Sequence, residues 1–468
     1  MAKTFFFYDL ETSGLDPRND RIMQFAGIRT DMELNPIGEP YNVLVELADD
    51  TLPSPRAVLV TGITPQKTRE EGYSEADFAR LLAEEVFTAD TITVGFNNVR
   101  FDDEFIRYLF WRTFRDPYEW AWREGRSRWD LLDVVRITRA LRPNGIKWPV
   151  DKDGKAVNKL ELLTRENGLS HEKAHDALSD VEALIAVTAL IKSKQPKLFS
   201  YLLKMRDKKL VQELVNLENK QPFVYCSGRY QAEFEKTTVA IPLTTGRHGN
   251  VVVYDLRYSP ADFAELSVKD LSANIFADSQ ARRAKSYQPV PIKELVYNKC
   301  PAVAPVGVLE ELNGWERIGL DEQTISKHCK ILLNAPDFAE KIRSVFEDRP
   351  EFTKQPEVEA QLYDGFIGDR DRIRATSIVN ANDLADMRPD FDDERLTKLL
   401  HHYKARNYTA SLTEDERISW DQWRLHRITS LSTAYMDEIQ ELSTGKDINK
   451  NTIYLLDELK LWLESVIS

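Results

Sequence analysis

Phe5-Phe6-Phe7-Tyr8-Asp9-Leu10-Glu11-Thr12 lies almost at the start of the chain. The aromatic run suits a buried strand. A strand sends successive side chains to opposite faces, so Asp9 and Glu11 share one face at the strand's end. Two carboxylates side by side repel unless a cation lies between them. Magnesium takes oxygen ligands of this kind. The rival reading is a solvated strand end, since a chain rich in charge contains Asp-x-Glu triplets by chance.

Beyond this segment the first 195 residues read as strands followed by helices. Arg21–Thr30 and Tyr41–Leu47 suit further strands, with turn signals at Asn35-Pro36 and Gly38. Residues 74–87 have helical spacing, with Phe78, Leu81, Leu82 and Val86 on one face. Residues 91–96 form a short apolar strand. Helices are expected at 103–114, 129–140, 159–166 and 175–191. Thr61-Gly62-Ile63-Thr64-Pro65 reads as a turn ending a strand. This order predicts an α/β domain, a mixed sheet flanked by helices. After Pro196 the pattern changes to short β-branched runs at 223–226, 237–243, 251–256 and 290–296, a small antiparallel barrel or sheet. Residues 348–357 carry two prolines and read as a linker. From Val358 onward the pattern is helical. The expected domains are therefore 1–196, 197–349 and 350–468.

The 468 residues are 42% hydrophobic and 30% charged, which excludes a disordered chain and allows a large core. No apolar run reaches the length of a membrane span, and the opening run is too short for a signal-peptide core. Three cysteines, Cys226, Cys300 and Cys329, lie far apart and in no metal-binding spacing. A reducing cytoplasm is expected. The net charge of −13 argues against general affinity for nucleic acid. Local runs reverse the sign: Lys192, Lys194, Lys197, Lys204, Arg206, Lys208 and Lys209 oppose only Asp207. Basic clusters also alternate with aromatics such as Phe101, Trp111, Trp122, Trp129 and Tyr201, as in single-strand binders.

Further acids join Asp9 and Glu11. Asp102 follows the strand at 91–96, at the edge where open α/β sheets place ligands; a helix cap is its alternative reading. His175-Asp176-Ala177-Leu178-Ser179-Asp180 opens a helix. Asp176 suits the positive helix start. Asp180 lies one turn on, where like charge is unfavourable unless a metal sits beside it. Asp9, Glu11, Asp102 and Asp180 are four acids on separate elements that could converge, with His175 placed to join them.

The ordered set resembles the histidine-bearing branch of the DnaQ-like exonuclease superfamily, through Asp9-Leu10-Glu11-Thr12-Ser13-Gly14, Asn98–Asp102 and His175–Asp180. The stretches Ser127–Asp133, Ala140-Leu141-Arg142-Pro143, Gln361–Phe366 and Tyr403–Asn407 extend the likeness along the whole chain, which is similar to the bacterial exodeoxyribonuclease I family. This resemblance implies a ribonuclease-H-like nuclease domain, an SH3-like β-rich domain and an all-α C-terminal domain. It implies 3′–5′ removal of 5′-mononucleotides from single-stranded DNA, in repair and recombination. Two Mg²⁺ ions (or Mn²⁺) would be held by Asp9, Glu11, Asp102 and Asp180, with His175 as the base. It also implies a partner, the acidic C-terminal tail of bacterial single-stranded-DNA-binding protein, for which residues 192–209 could supply charge. A monomer is expected.

Substrate contacts are expected from Glu11 and Thr12 at the metal site, from Phe101, and from Arg128, Arg142 and Tyr201 in the shared motifs. Lys159 stands where the family tends to have arginine, so bidentate phosphate binding is lost there. Leu10 and Ser13 stand where the family often has aromatics. Surface ion pairing, or core packing for Tyr201, is the alternative for each contact. Two rival functions remain: the same chemistry on RNA or in a proofreading subunit, and a non-catalytic nucleic-acid-binding module.

Overall fold

In the computed structural model, strand β1 (Thr4–Thr12) runs through both acids. Phe5, Phe6 and Phe7 are fully buried, as expected of a strand covered on both faces. It pairs antiparallel with β2 (Ile22–Thr30) and parallel with β4 (Thr91–Gly95). With β3 (Tyr41–Leu44) and β5 (Ser127–Asp130) the sheet order is β3-β2-β1-β4-β5, a mixed sheet as the sequence pattern implies. The β1–β2 register pairs Asp9 with Ala26 and Glu11 with Gln24, and shifts between Glu11 and Thr12. The regular ladder thus ends at the second acid. The structure describes residues 3–170, 176–285, 287–349, 353–381, 383–445 and 448–467.

Local chemistry sets the element ends. The Thr61–Pro65 turn does not end a strand; it joins helix α1 (Pro55–Thr61) to α2 (Pro65–Glu71). Gly62, at φ +70°, donates its N–H to the Val58 carbonyl and closes α1. The Thr64 side chain accepts from the Lys67 N–H, and Pro65 fills the first helical position of α2. The same residues punctuate strands and helices, and seven-residue helices are too short to show a 3.6 period. Helix α3 (Glu75–Leu81) continues into a wider turn at Leu82–Val86. Helix α4 covers Asp102–Arg112. Trp129 lies in β5, and α5 (Leu131–Leu141) starts only after Asp130 caps it through the Leu132 N–H. Helix α6 is Leu160–Glu166 and α7 is Ala177–Lys194.

Two compact units result. One comprises Met1–Arg128, His171–Ile185 and Phe352–Ser468, and the other Trp129–Ser170 and Ala186–Glu351. In the first, the nuclease sheet and the C-terminal helices share cores. Met23, Leu47, Val58 and Ile63 pack with Ile428, Ile439, Leu459 and Trp462. Tyr108, Trp111 and Phe114 pack with Leu362, Ile378 and Leu399. The C-terminal segment is helical as anticipated, with Glu394–Asn407, Glu414–Ser443 and Lys450–Ile467 its longest helices among the described residues.

The second unit holds an antiparallel sheet, β10-β6-β7-β8-β9. Its strands are β6 (Phe223–Cys226), β7 (Thr237–Thr245), β8 (Val251–Asp255), β9 (Ile292–Leu295) and β10 (Ala302–Pro305). The short β10 escaped the sequence pattern, because four residues ending in proline carry little alternation. Helices at Glu322–Leu333 and Pro336–Glu347 also belong to this unit. Among the described residues no helix is long and apolar enough to cross a membrane.

Candidate active site

Strand alternation and a helix start bring three of the expected acids together. Carboxylate oxygens of Asp9, Glu11 and Asp180 lie within 4.8 Å of one another. Asp176 accepts from the Ser179 N–H at 3.3 Å and so caps α7, while Asp180 one turn later joins the acids of β1. Asp102 opens α4 from inside its first turn. Its expected alternative as a cap does not hold, since Phe101 takes that position. Asp102 is close enough to raise the proton affinity of both Asp9 and Glu11. His175 lies outside the described residues.

The crowding has an electrostatic cost. Burial, then the Asp102, Glu11 and Asp180 carboxylates, holds Asp9 well above the usual carboxylate range. Burial, then Asp180, Asp102 and Asp176, pushes Glu11 up to about 8. Such a cluster is uncomfortable as bare anions and is relieved by positive charge. Its donors are all carboxylate oxygens, the set a hard divalent cation prefers. The site is one for a divalent metal.

Behind Asp102 sits a buried polar knot that motif reading passed over. Asp103 is 0% exposed. Its Oδ1 accepts from the Tyr8 hydroxyl and, at 3.3 Å, from the Asn98 amide. Its Oδ2 accepts from Arg128 at 2.7 Å. Burial and the neighbouring Asp103 and Asp102 charges hold the Tyr8 hydroxyl well above its ordinary pKa, so it stays a donor. The readable signal was the Asp102-Asp103 doublet, one acid more than a metal site or a cap needs.

The expected substrate contacts separate. Arg128 is buried, and its guanidinium pairs with Asp103 at 2.7 Å. Thr12 is buried beside Glu11, its hydroxyl donating to the Gly14 carbonyl at 2.7 Å. Phe101 is half-buried, its ring 5.1 Å from that of Phe105. In the second unit, Tyr201 packs against the core and donates to the Val303 carbonyl at 3.2 Å. Arg142 donates to the Val308 carbonyl at 3.1 Å and pairs with Glu311 at 2.9 Å. Lys159 is exposed, 3.6 Å from Glu161.

A second feature went unread. Arg21, at the foot of β2, donates to the Asn19 carbonyl at 2.9 Å and pairs with Glu359 of the C-terminal segment at 2.5 Å. Its backbone N–H donates to the Ser13 hydroxyl, which fastens the loop that follows the β1 acids. A lone arginine before an apolar strand gives no hint of a partner 338 positions away.

Comparison with known proteins agrees with this arrangement. The family described as Exonuclease matches residues 6–188, Exonuclease I SH3-like domain matches 206–348, and Exonuclease I C-terminal domain matches 356–466. Exodeoxyribonuclease I of Haemophilus influenzae is 38% identical over 462 residues, covering 97% of each chain. That of Escherichia coli is 38% identical over 469 residues, covering 99% of this chain and 98% of its own. Among solved structures, E. coli exonuclease I in complex with a dA16 oligonucleotide superposes with a TM-score of 0.95 at 38% identity, covering 99% of this chain and 100% of that one. The exonuclease I of Methylocaldum szegediense gives 0.94 at 38% identity, covering 100% of both. With an acidic cluster on β1 and α7, a mixed-sheet nuclease domain, an SH3-like domain and a helical C-terminal domain, the chain belongs to the exodeoxyribonuclease I family.

Proposed function

We propose that this protein is a 3′–5′ exonuclease that degrades single-stranded DNA to 5′-mononucleotides, serving DNA repair and recombination. The observation that carries the reading is the convergence of Asp9, Glu11 and Asp180 within 4.8 Å, beside Asp102, in a chain of this family. Asp9, Glu11, Asp102 and Asp180 would hold two Mg²⁺ ions. Bound there, the ions would supply Lewis-acid polarisation of the terminal phosphodiester and neutralise charge on the transferring phosphoryl group. His175 takes the proton of the attacking water, a role resting on the family resemblance and on imidazole's suitability near neutral pH. Glu11 and Thr12 border the terminal nucleotide, Phe101 offers a ring to a base, and Arg142 and Lys159 supply positive charge.

Further parts of the reading rest on sequence chemistry. The domain limits are placed at 1–196, 197–349 and 350–468. The exposed lysines 194, 197, 204, 208 and 209 suit the acidic tail of single-stranded-DNA-binding protein. Three free cysteines fit a reducing cytoplasm. A monomer is expected.

The test is digestion of 5′-labelled single-stranded DNA and RNA oligomers of equal sequence in Mg²⁺. A ladder shortening from the 3′ end of DNA, absent in chelator and in Asp9→Ala and His175→Ala proteins that fold, is the expected result. Equal or faster loss of RNA would favour the RNA-acting rival. Cleavage in excess chelator would overturn the metal reading.

A further inference from the structure

Asp103 is fully buried next to a metal-site acid, and a stability argument does not account for it. A buried charged pair seldom outperforms well-packed apolar side chains of similar size, because desolvation offsets the attraction. The carboxylate nonetheless collects three donors from three elements. Tyr8 is on β1, Asn98 lies in the turn after β4, and Arg128 is on β5. Two of these donors, Tyr8 and Asn98, sit close in sequence to the metal-site acids. Tyr8 precedes Asp9, and Asp103 follows Asp102.

The geometry has a directional consequence. Tyr8 and Asp9 point to opposite faces of β1. The Tyr8–Asp103 bond therefore ties the face turned away from the acids to the helix that delivers Asp102. Asp102 and Asp103 are consecutive in the first turn of α4, about 100° apart around its axis. Fixing Asp103 fixes the rotation of α4 and hence where Asp102 points. A carboxylate at that helix start also suits the positive end of the helix dipole.

We infer that Asp103, held by Tyr8, Asn98 and Arg128, is a positioning residue that sets Asp102 against Asp9 and Glu11 for divalent-cation binding. This deepens the metal reading above and rests on it. Groups that orient metal ligands typically matter by about 10- to 100-fold in metal affinity.

The test is calorimetric titration of Mn²⁺ into the full-length chain without DNA, with thermal midpoints of the metal-free proteins alongside. The proteins are wild type, Tyr8→Phe, Asp103→Asn and Asp180→Asn. Tyr8→Phe removes one hydroxyl and keeps the ring, so it remains informative should Asp103→Asn not fold. The expected result is weaker Mn²⁺ binding in Tyr8→Phe and Asp103→Asn by about 10- to 100-fold, with Asp180→Asn weakened as well. A lowered thermal midpoint with unchanged Mn²⁺ affinity in Tyr8→Phe would make the knot purely structural and overturn the inference. Unchanged affinity in Asp180→Asn would instead overturn the metal reading itself.

Discussion

At the scale of single residues, the acids dominate the behaviour of the site. Glu11 is held up to about 8 by burial and by its neighbours. A carboxyl group with a raised native pKa keeps more protons folded than unfolded, so stability falls as pH rises between the two values. The window here runs from the ordinary 4.5 to about 8. The metal-free protein should lose thermal midpoint across that window, and Mg²⁺ should restore more at pH 8 than at pH 6. Glu11→Gln should flatten the profile; an unchanged profile in that variant would assign the effect elsewhere. Asp9→Ala should cut turnover by about 10⁴-fold, the scale on which groups that act as a unit fail together, with little change in urea midpoint.

At the scale of elements, β1 shows how packing sets register. Tyr8 faces Gly27 across the β1–β2 ladder. A Cβ on Gly27 would come within 2.4 Å of a ring carbon of Phe6, itself fully buried. Gly27→Ala should therefore cost about 1–3 kcal/mol through overpacking, read as a lower urea midpoint with an unchanged slope. A neutral result would mean the Phe6 ring can move aside. The strand itself was legible because four aromatics preceding two spaced acids fit no helix. Its length was not: Leu10 and Thr12 carry no end signal, and pairing with β2 decides where it stops. The Thr61–Pro65 turn was legible as a turn but not as a helix–helix joint, since capping residues and strand-turn residues are the same amino acids.

At the scale of the molecule, the C-terminal helices are fastened to the nuclease sheet by charge as well as by apolar packing. Arg406 pairs with Asp50 at 2.7 Å and also with Glu359, all buried. Burial alone would raise Asp50, but the Arg406 guanidinium, helped by Arg21, lowers it to about 2. Its stabilising share is present above the ordinary 3.8 and is lost as pH falls toward about 2. Arg406→Met leaves two buried carboxylates without this partner and should cost about 3–5 kcal/mol. That loss should shrink in acid, where the carboxylates become neutral. Ending the chain at residue 349 would expose Met23, Val58 and Trp111, which pack with C-terminal side chains. The truncated protein should aggregate or bind hydrophobic dyes; a soluble fragment with native activity would show the helices to be dispensable. Binding of single strands by full-length protein should weaken steeply with salt, because local basic runs, not the net −13, would make the contacts.

The sequence by itself determined the acids that converge on β1 and α7, the mixed sheet and the change of architecture after Pro196. Spacing of two, capping residues and β-branched runs are local properties that survive without neighbours. Only the tertiary structure decided that Arg128 serves Asp103, that Tyr201 serves a core, and that Arg21 reaches Glu359 across 338 positions. An arginine or a tyrosine looks the same in sequence whether it meets a phosphate or a buried carboxylate. Its partner is chosen by folding, through the cost of leaving any buried polar group unmet.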